Sequence, residues 1–268
     1  LEKLDEGAGS FIEKGKTKMQ VNLIDYTGAG SNDPMYAARI LVYAKSTRLT
    51  QGEELREKIA KMGIAELAYE LAAVARSVRS SWEFVEYKWQ VIGVTRAFTH
   101  QLVRTRYGVA FAQQAMRVAD MSEFETLVPE TVQKADGGRM WDLAMKMLAS
   151  CYSEYSNKGV PKQDCRGVLP TNIKTNIMMK FDLRALADMA GKRDNLRAQD
   201  EYGEVAKRMK ETVYAVHPWA KQFVEPERTK TPALDAILKR LLGDRSPVDE
   251  PEINAALKEL DSLRATWG

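Results

Sequence analysis

Between Arg96 and Arg117 the chain reads RAFTHQLVRTRYGVAFAQQAMR, with arginines at 96, 104, 106 and 117, a histidine at 100, glutamines at 113 and 114, and no acid. The first part has helical spacing. Val94, Phe98 and Leu102 can bury one face, while Arg96, His100 and Arg104 fall four apart on another. Basic side chains stacked at that interval repel, so the arrangement makes most sense where an anion completes it. The following GVAFAQQAM is small, apolar and amide-rich, which suits the wall of a close-packed cavity. A solvated basic helix running into a core segment is the plainer alternative.

Composition narrows the class. A chain of 268 residues, 44% of them apolar, can bury a full core as one large domain or two small ones. There is no uninterrupted apolar run near the ~20 residues of a membrane span. The N-terminus, LEKLDEGAGSFIEKGK, is polar and has no signal-peptide pattern. A cytoplasmic protein with no membrane partner is expected. Two cysteines, Cys151 and Cys165, make no disulfide framework, and two histidines are too few for a zinc site, so no metal is expected. The net charge of +3 is slight and spread along the chain. That disfavours a stable nucleic-acid partner but leaves room for a local cluster that takes a small phosphorylated ligand.

Residues 1–18 are expected to be a flexible segment, 19–220 the main domain, and 221–268 a C-terminal helical extension with short helices near 232–243 and 251–264. MQVNLIDYT at 19–27 alternates as a short strand. Ser31, Asn32 and Asp33 predict a helix start with Pro34 at the first helical position. Leu55, Ile59, Met62, Leu67, Leu71, Val74 and Val78 predict one helix over 52–79, bent at Gly63. SSWEFVEYKWQVIG at 80–93 reads as an aromatic-rich strand. Residues 121–138 read as loop and 139–155 as a long amphipathic helix. KQDCRGVLPTNIKTNI reads as a helix, a break, then polar groups at a site boundary. Helices follow at 181–189 and 201–216, the last stopped by His217-Pro218-Trp219. Long helices around a few strands predict an α+β domain.

No nucleophile elbow accompanies either histidine, and neither GxGxxG after a strand nor GxxxxGK[ST] occurs. A second polar cluster is present: Arg184, Asp188, Arg193, Arg197, Gln199 and Glu201. One guanidinium can take a phosphate in a bidentate fork while another, or a glutamine amide, reads a base edge. Two such clusters with no protein nucleophile or base fit an enzyme whose bound organic cofactor supplies the chemistry. A solvated salt-bridge network explains the second cluster equally well.

The text TRAFTHQLVRTRYGVAFAQQAMRVAD closely resembles the signature region of the flavin-dependent thymidylate synthases, the ThyX family. That region reads approximately RHR, a short spacer, then SxxSxRY. Other landmarks resemble the family in order. NLIDYTG with PMYAARILVYAKST looks like its first strand and helix, and SSWEFVEYKW like its HxSxxEH strand. VPKQDCRGVLPTN is similar to its (A/D)R-x-VLP element, and DLRALADMAGKRDNLRAQDEY to its NxRSL…LR…AQxE segment.

The resemblance implies a central, mostly antiparallel sheet with long helices in a homotetramer whose chains share active sites. It also implies FAD between subunits, recharged by NADPH, and transfer of a one-carbon unit from 5,10-methylenetetrahydrofolate to C5 of a uridylate, dUMP or UMP. No cysteine nucleophile is used. By position, Arg106, Gln113, Gln114, Ala115 and Arg117 are implied at the nucleotide, and Arg193 at the base carbonyl as the residue that polarises the ring. Ser81, Glu83, Arg104, Thr105, Asp182, Arg184, Arg197 and Gln199 are implied near the flavin, and Glu86 matches a motif acid.

Four positions depart from the pattern. Thr105 replaces the central histidine of RHR, Ala115 a serine near the nucleotide, and Val118 the tyrosine after Arg117, while the spacer before Arg117 is one residue longer. Losing one hydroxyl at Ala115 costs about 0.5–1.5 kcal/mol of net hydrogen bonding. That is too little to abolish binding held by charged contacts, so a shifted substrate preference is the expected consequence. C5 hydroxymethylation and a non-enzymatic basic nucleotide- or nucleic-acid-binding module are the alternatives.

Overall fold

The structure is a computed structural model that describes residues 17–49, 52–193 and 200–225, without the side chains of 192, 193 and 200. Its centre is a four-stranded antiparallel sheet in the order β1-β2-β4-β3. β1 is Gln20–Tyr26, β2 Glu86–Thr95, β3 Val109–Gln113 and β4 Lys174–Asp182. The register pairs Val21 with Val91, Val91 with Ile177, and Tyr87 with Phe181, and β3 sets Val109 against Phe181 and Gln113 against Ile177. The α+β class expected from the sequence is the one found.

Period-2 alternation decides which face is buried. Tyr87, Trp89 and Val91 on β2 and Ile177, Met179 and Phe181 on β4 are all buried, while Gln90, Asn176 and Met178 are exposed. Helices cover the buried face: α1 (Tyr36–Ser46), α3 (Ile64–Ala75), α8 (Leu183–Arg193) and α9 (Asp200–Val216). Trp89 donates its indole N–H to Thr212 Oγ1 of α9 at 2.9 Å, which satisfies the one polar atom of a fully buried ring. A smaller cluster of Met121, Tyr152, Cys165 and Ile173 joins α6 (Arg139–Asn157) to the one-turn α7 (Lys162–Cys165).

Several local expectations shift. α1 begins at Tyr36, two residues later than expected, although the Asp33 carboxylate does accept the Met35 N–H at 2.9 Å and hold Arg39 Nε at 2.7 Å. The helix expected over 52–79 is two, α2 (Glu53–Lys61) and α3, because Met62 and Gly63 both take extended ψ angles. The aromatic segment is a 3-10 turn over Arg79–Phe84, which drives Trp82 into the core, and only then β2. A short α5 (Glu130–Asp136) lies in the region read as loop, and β4 replaces polar ends at a site boundary. The extension expected beyond 220 is described only as far as Glu225, a helical turn at Lys221–Val224 included; its remainder lies outside the described residues. Among the described residues no helix is long and apolar enough to cross a membrane, and no group of side chains could hold a metal.

His217, stacked on Trp219 and 3% exposed, meets the Tyr87 hydroxyl at Nδ1, 3.0 Å away. Burial pushes its pKa down from 6.5 to about 4. Between those values the unfolded chain binds the extra proton and the folded one does not, so stability is complete above 6.5 and falls as pH drops towards 4. Urea midpoints of the wild type are expected to decline across that window more steeply than those of His217→Gln.

Candidate functional site

α4 (Arg96–Leu102) is placed by its first turn. Thr95 is the N-cap, its hydroxyl accepting the Phe98 N–H at 3.0 Å while both its own N–H and its hydroxyl donate to Glu201 of α9, at 2.8 and 2.6 Å. The next two N–H groups bind the returning chain, Arg96 to the Ile173 carbonyl at 3.0 Å and Ala97 to that of Thr171 at 2.8 Å. Those bonds fasten the 170s loop to the start of α4 and bring Arg166, just upstream, towards Arg96.

Arg96 is half-buried. One terminal nitrogen donates to the Gln114 carbonyl at 2.6 Å, and its enclosed Nε has no partner among the described residues. Burial first, and then the charge of Arg166, pull its pKa below the usual arginine value. Arginine stays protonated regardless, so among the described residues this corner holds two cations and an unused donor, and no anion that answers them. Gln114, whose carbonyl takes the Arg96 bond, is exposed, and so are Ala115 and Arg117 after it. Gln114 is tied to β4 through its N–H to the Asn176 carbonyl, at 3.0 Å. Gln113 behaves differently: its amide donates inward to Thr99 Oγ1 at 2.9 Å, so its side chain is already committed.

A second site lies at the other end of β3. A cavity of about 400 Å³ is lined by Glu83, Tyr107, Gly108, Asp182, Arg184, Ala185 and Asp188. Glu83 pairs with Arg184 at 2.6 Å and Arg79 with Asp188 at 2.7 Å, and the Arg79 guanidinium lies over the Trp82 ring, 4.6 Å from its centroid. Gly108 takes φ +69° and its Cα rests on the Asp182 carboxyl group so closely that any Cβ would overlap all three carboxyl atoms. Asp182 Oδ1 accepts the Ala185 N–H at 2.7 Å and so caps α8. Burial, helped by the charge of Glu83, raises the Asp182 pKa. The folded protein therefore holds the Asp182 proton to higher pH than the unfolded chain does, and ionisation above that point destabilises the fold. Asp182→Asn is expected to unfold at a higher temperature than the wild type at neutral pH, with the difference shrinking as pH falls through the raised value towards 3.8, the ordinary one, and gone below it.

Of the residues singled out in the sequence, Glu83, Asp182 and Arg184 line one cavity, Gln114 meets Arg96 through its carbonyl, and Ala115 and Arg117 are exposed on the segment that follows. Arg104, Thr105 and Arg106 fall in the turn that leads to Tyr107 and Gly108, Thr105 half-buried and both arginines exposed. Ser81 points inward, 3% exposed, with its hydroxyl on the Val78 carbonyl at 3.3 Å. Glu86 is held on the sheet by Lys180 and Lys88, at 3.1 and 3.4 Å. Arg193 is the last residue of α8, its side chain undescribed, and Arg197 and Gln199 lie outside the described residues. Arg166 was given no role by sequence reasoning. Its only sequence signal was the RGVLP text; the link to Arg96 depends on backbone bonds between distant segments.

The two corners flank β3, with Gly108 and Gln114 six residue steps apart, roughly 20 Å at the usual strand rise. One chain thus presents two half-sites.

Comparison with known proteins gives a consistent picture. The sequence model of the family described as "Thymidylate synthase complementing protein" (Thy1) matches residues 22–219. The chain is 28% identical over 211 residues to a protein of Sulfolobus acidocaldarius named flavin-dependent thymidylate synthase, an alignment covering 78% of this chain and 77% of that one. It is 30% identical over 169 residues to a protein of the same name from Geobacter sulfurreducens, covering 62% and 72%. A third so named, from Pyrococcus furiosus, is 33% identical over 150 residues, covering 52% and 61%.

Proposed function

The chain belongs to the Thy1 family of thymidylate synthase complementing proteins, and on that premise we propose that it is an FAD-dependent enzyme that methylates C5 of a uridylate, dUMP or UMP. The observation that carries the reading is the pairing of two different half-sites on one strand: a cationic corner whose Arg96 Nε has no partner among the described residues, and an ion-paired cavity closed by Gly108 and Asp182.

The residues present fit FAD at the cavity. A volume of about 400 Å³ is near the lower end of ligand pockets, enough for part of such a cofactor. The absence of a side chain at Gly108 lets the turn before β3 pack directly on the buried Asp182 carboxyl group, and both residues line the cavity. Glu83 and Arg184, with Arg104 and Thr105 on the adjoining turn, are the residues assigned to hold it. When bound and reduced, FAD supplies the reducing equivalents that turn a one-carbon unit into a methyl group; NADPH and 5,10-methylenetetrahydrofolate are the proposed co-substrates.

At the cationic corner, Arg96 and Arg166 would hold the nucleotide phosphate, with Gln114, Ala115 and Arg117 at the rim and Arg106 reaching from the turn before β3. Gln113 contributes backbone and keeps the strand end rigid. Arg193 is assigned to the base carbonyl, where a permanently charged guanidinium polarises the ring. Neither cysteine is placed to act as nucleophile: Cys165 is buried with its thiol on the Val160 carbonyl, and Cys151 lies on α6. Because the half-sites are a strand-length apart in one chain, the complete site is proposed to form between chains of a homotetramer, in a cytoplasmic setting.

FAD uptake tests the cofactor assignment. The purified chain is expected to retain flavin absorbance through desalting after reconstitution. A colourless protein after that treatment would overturn the reading.

A further inference from the structure

α6 is underpacked for its length. Of its nineteen residues only Tyr152 is buried. Tyr152 belongs to the smaller core and Trp141, Met145, Leu148 and Ala149 are half-buried, while Met140, Leu143 and Met147 are 60%, 52% and 63% exposed. Ala144 and Cys151 are exposed with them. At about 100° per residue, Met140 falls within about 20° of Met147, and Leu143 and Cys151 within about 40° on either side. These positions form one stripe roughly 16 Å long, the pattern of a helix that packs on a second helix.

We infer that this stripe is a contact between two copies of the chain, with α6 lying antiparallel to the partner's α6 across a two-fold axis at Met147. The choice of occupant rests on the assembly of identical chains proposed above and on the charges that flank the stripe. Arg139 and Glu154 sit eight residues before and seven after Met147. An antiparallel pair centred there sets each Arg139 beside the partner's Glu154, twice by symmetry, as a self-complementary contact requires. Among the described residues Glu154 pairs with its own exposed Lys158, at 2.8 Å, a weak interaction easily exchanged. Leu143 and Cys151 are equally far from Met147, so each Leu143 faces the partner's Cys151.

That last relation supplies the test. On mild oxidation of the full-length, FAD-treated protein, Leu143→Cys is expected to form a disulfide-linked dimer through the partner's Cys151. The wild type and Leu143→Cys/Cys151→Ser should not. Met147→Lys, another exposed position, should lower the mass in solution by separating this interface. An assembly of identical chains that gives no Leu143–Cys151 cross-link and keeps its mass in Met147→Lys would overturn the α6 contact and leave the flavoenzyme reading standing. A wild-type monomer that still binds FAD would overturn both the contact and the shared-site assembly.

Discussion

Replacing Arg96 and Arg166 together with methionine is expected to raise the KM for uridylate by about two orders of magnitude or more while FAD loading stays intact. A hydrogen bond to a charged partner contributes about 1.5–3 kcal/mol, or roughly 10- to 150-fold in affinity, and the double variant removes two cations from one corner. Methionine keeps the apolar stem that packs along α4, so the loss reflects charge and donors rather than a cavity. The flavin half-site lies at the other end of β3, and residues that far apart without shared partners act nearly independently. Steady-state kinetics on the FAD-loaded variant separate the outcomes. A KM effect with little change in kcat marks uniform binding of the phosphate, whereas unchanged kinetics would remove both arginines from the site. Arg96→Lys should fall between, since lysine restores a charge but not the fork.

Gly108→Ala is expected to lower stability by about 2–5 kcal/mol and to abolish FAD retention. The φ of +69° is strained for any residue with a Cβ, which costs about 1–3 kcal/mol, and the new methyl would overlap the Asp182 carboxyl group. Relief requires moving either the turn that carries Arg104 and Arg106 or the cap of α8, and both border the cavity. Adding Asp182→Ala removes the obstruction, so the double variant should be more stable than the two single losses combined predict; urea unfolding measures that coupling. Strict additivity would show that the glycine–carboxyl contact is not what closes the cavity.

The sequence and the structure agree where one signal dominates. Arg96 and His100 on one face of α4, with Phe98 and Leu102 on the other, needed only helical periodicity, whereas Arg104, expected on the same face, falls in the turn beyond the helix end. α9 ended at His217-Pro218 for the local reason expected. β4 was harder to read. Ile177, Met179 and Phe181 alternate inward, but Met178 between them is apolar as well, and Pro170 with two Thr-Asn pairs just before reads as loop. The aromatic segment mixed two structures, since Trp82 enters the core from a 3-10 turn and Trp89 from a strand. At the site, charge content was visible but partnership was not. Glu83 and Glu86 look alike in sequence, yet one lines the cavity and the other is held by two lysines on the sheet. Arg166 became a candidate only through the bonds from the Arg96 and Ala97 N–H groups to the 170s loop.

The most direct test of the central claim is the fate of the hydrogen at C5. Purified protein loaded with FAD is given C5-tritiated dUMP or UMP with NADPH and 5,10-methylenetetrahydrofolate. The account predicts tritium released to water and a product carrying one added methyl group by mass. Full retention of tritium in both nucleotides by the flavin-loaded protein, with no change in their mass, would contradict it.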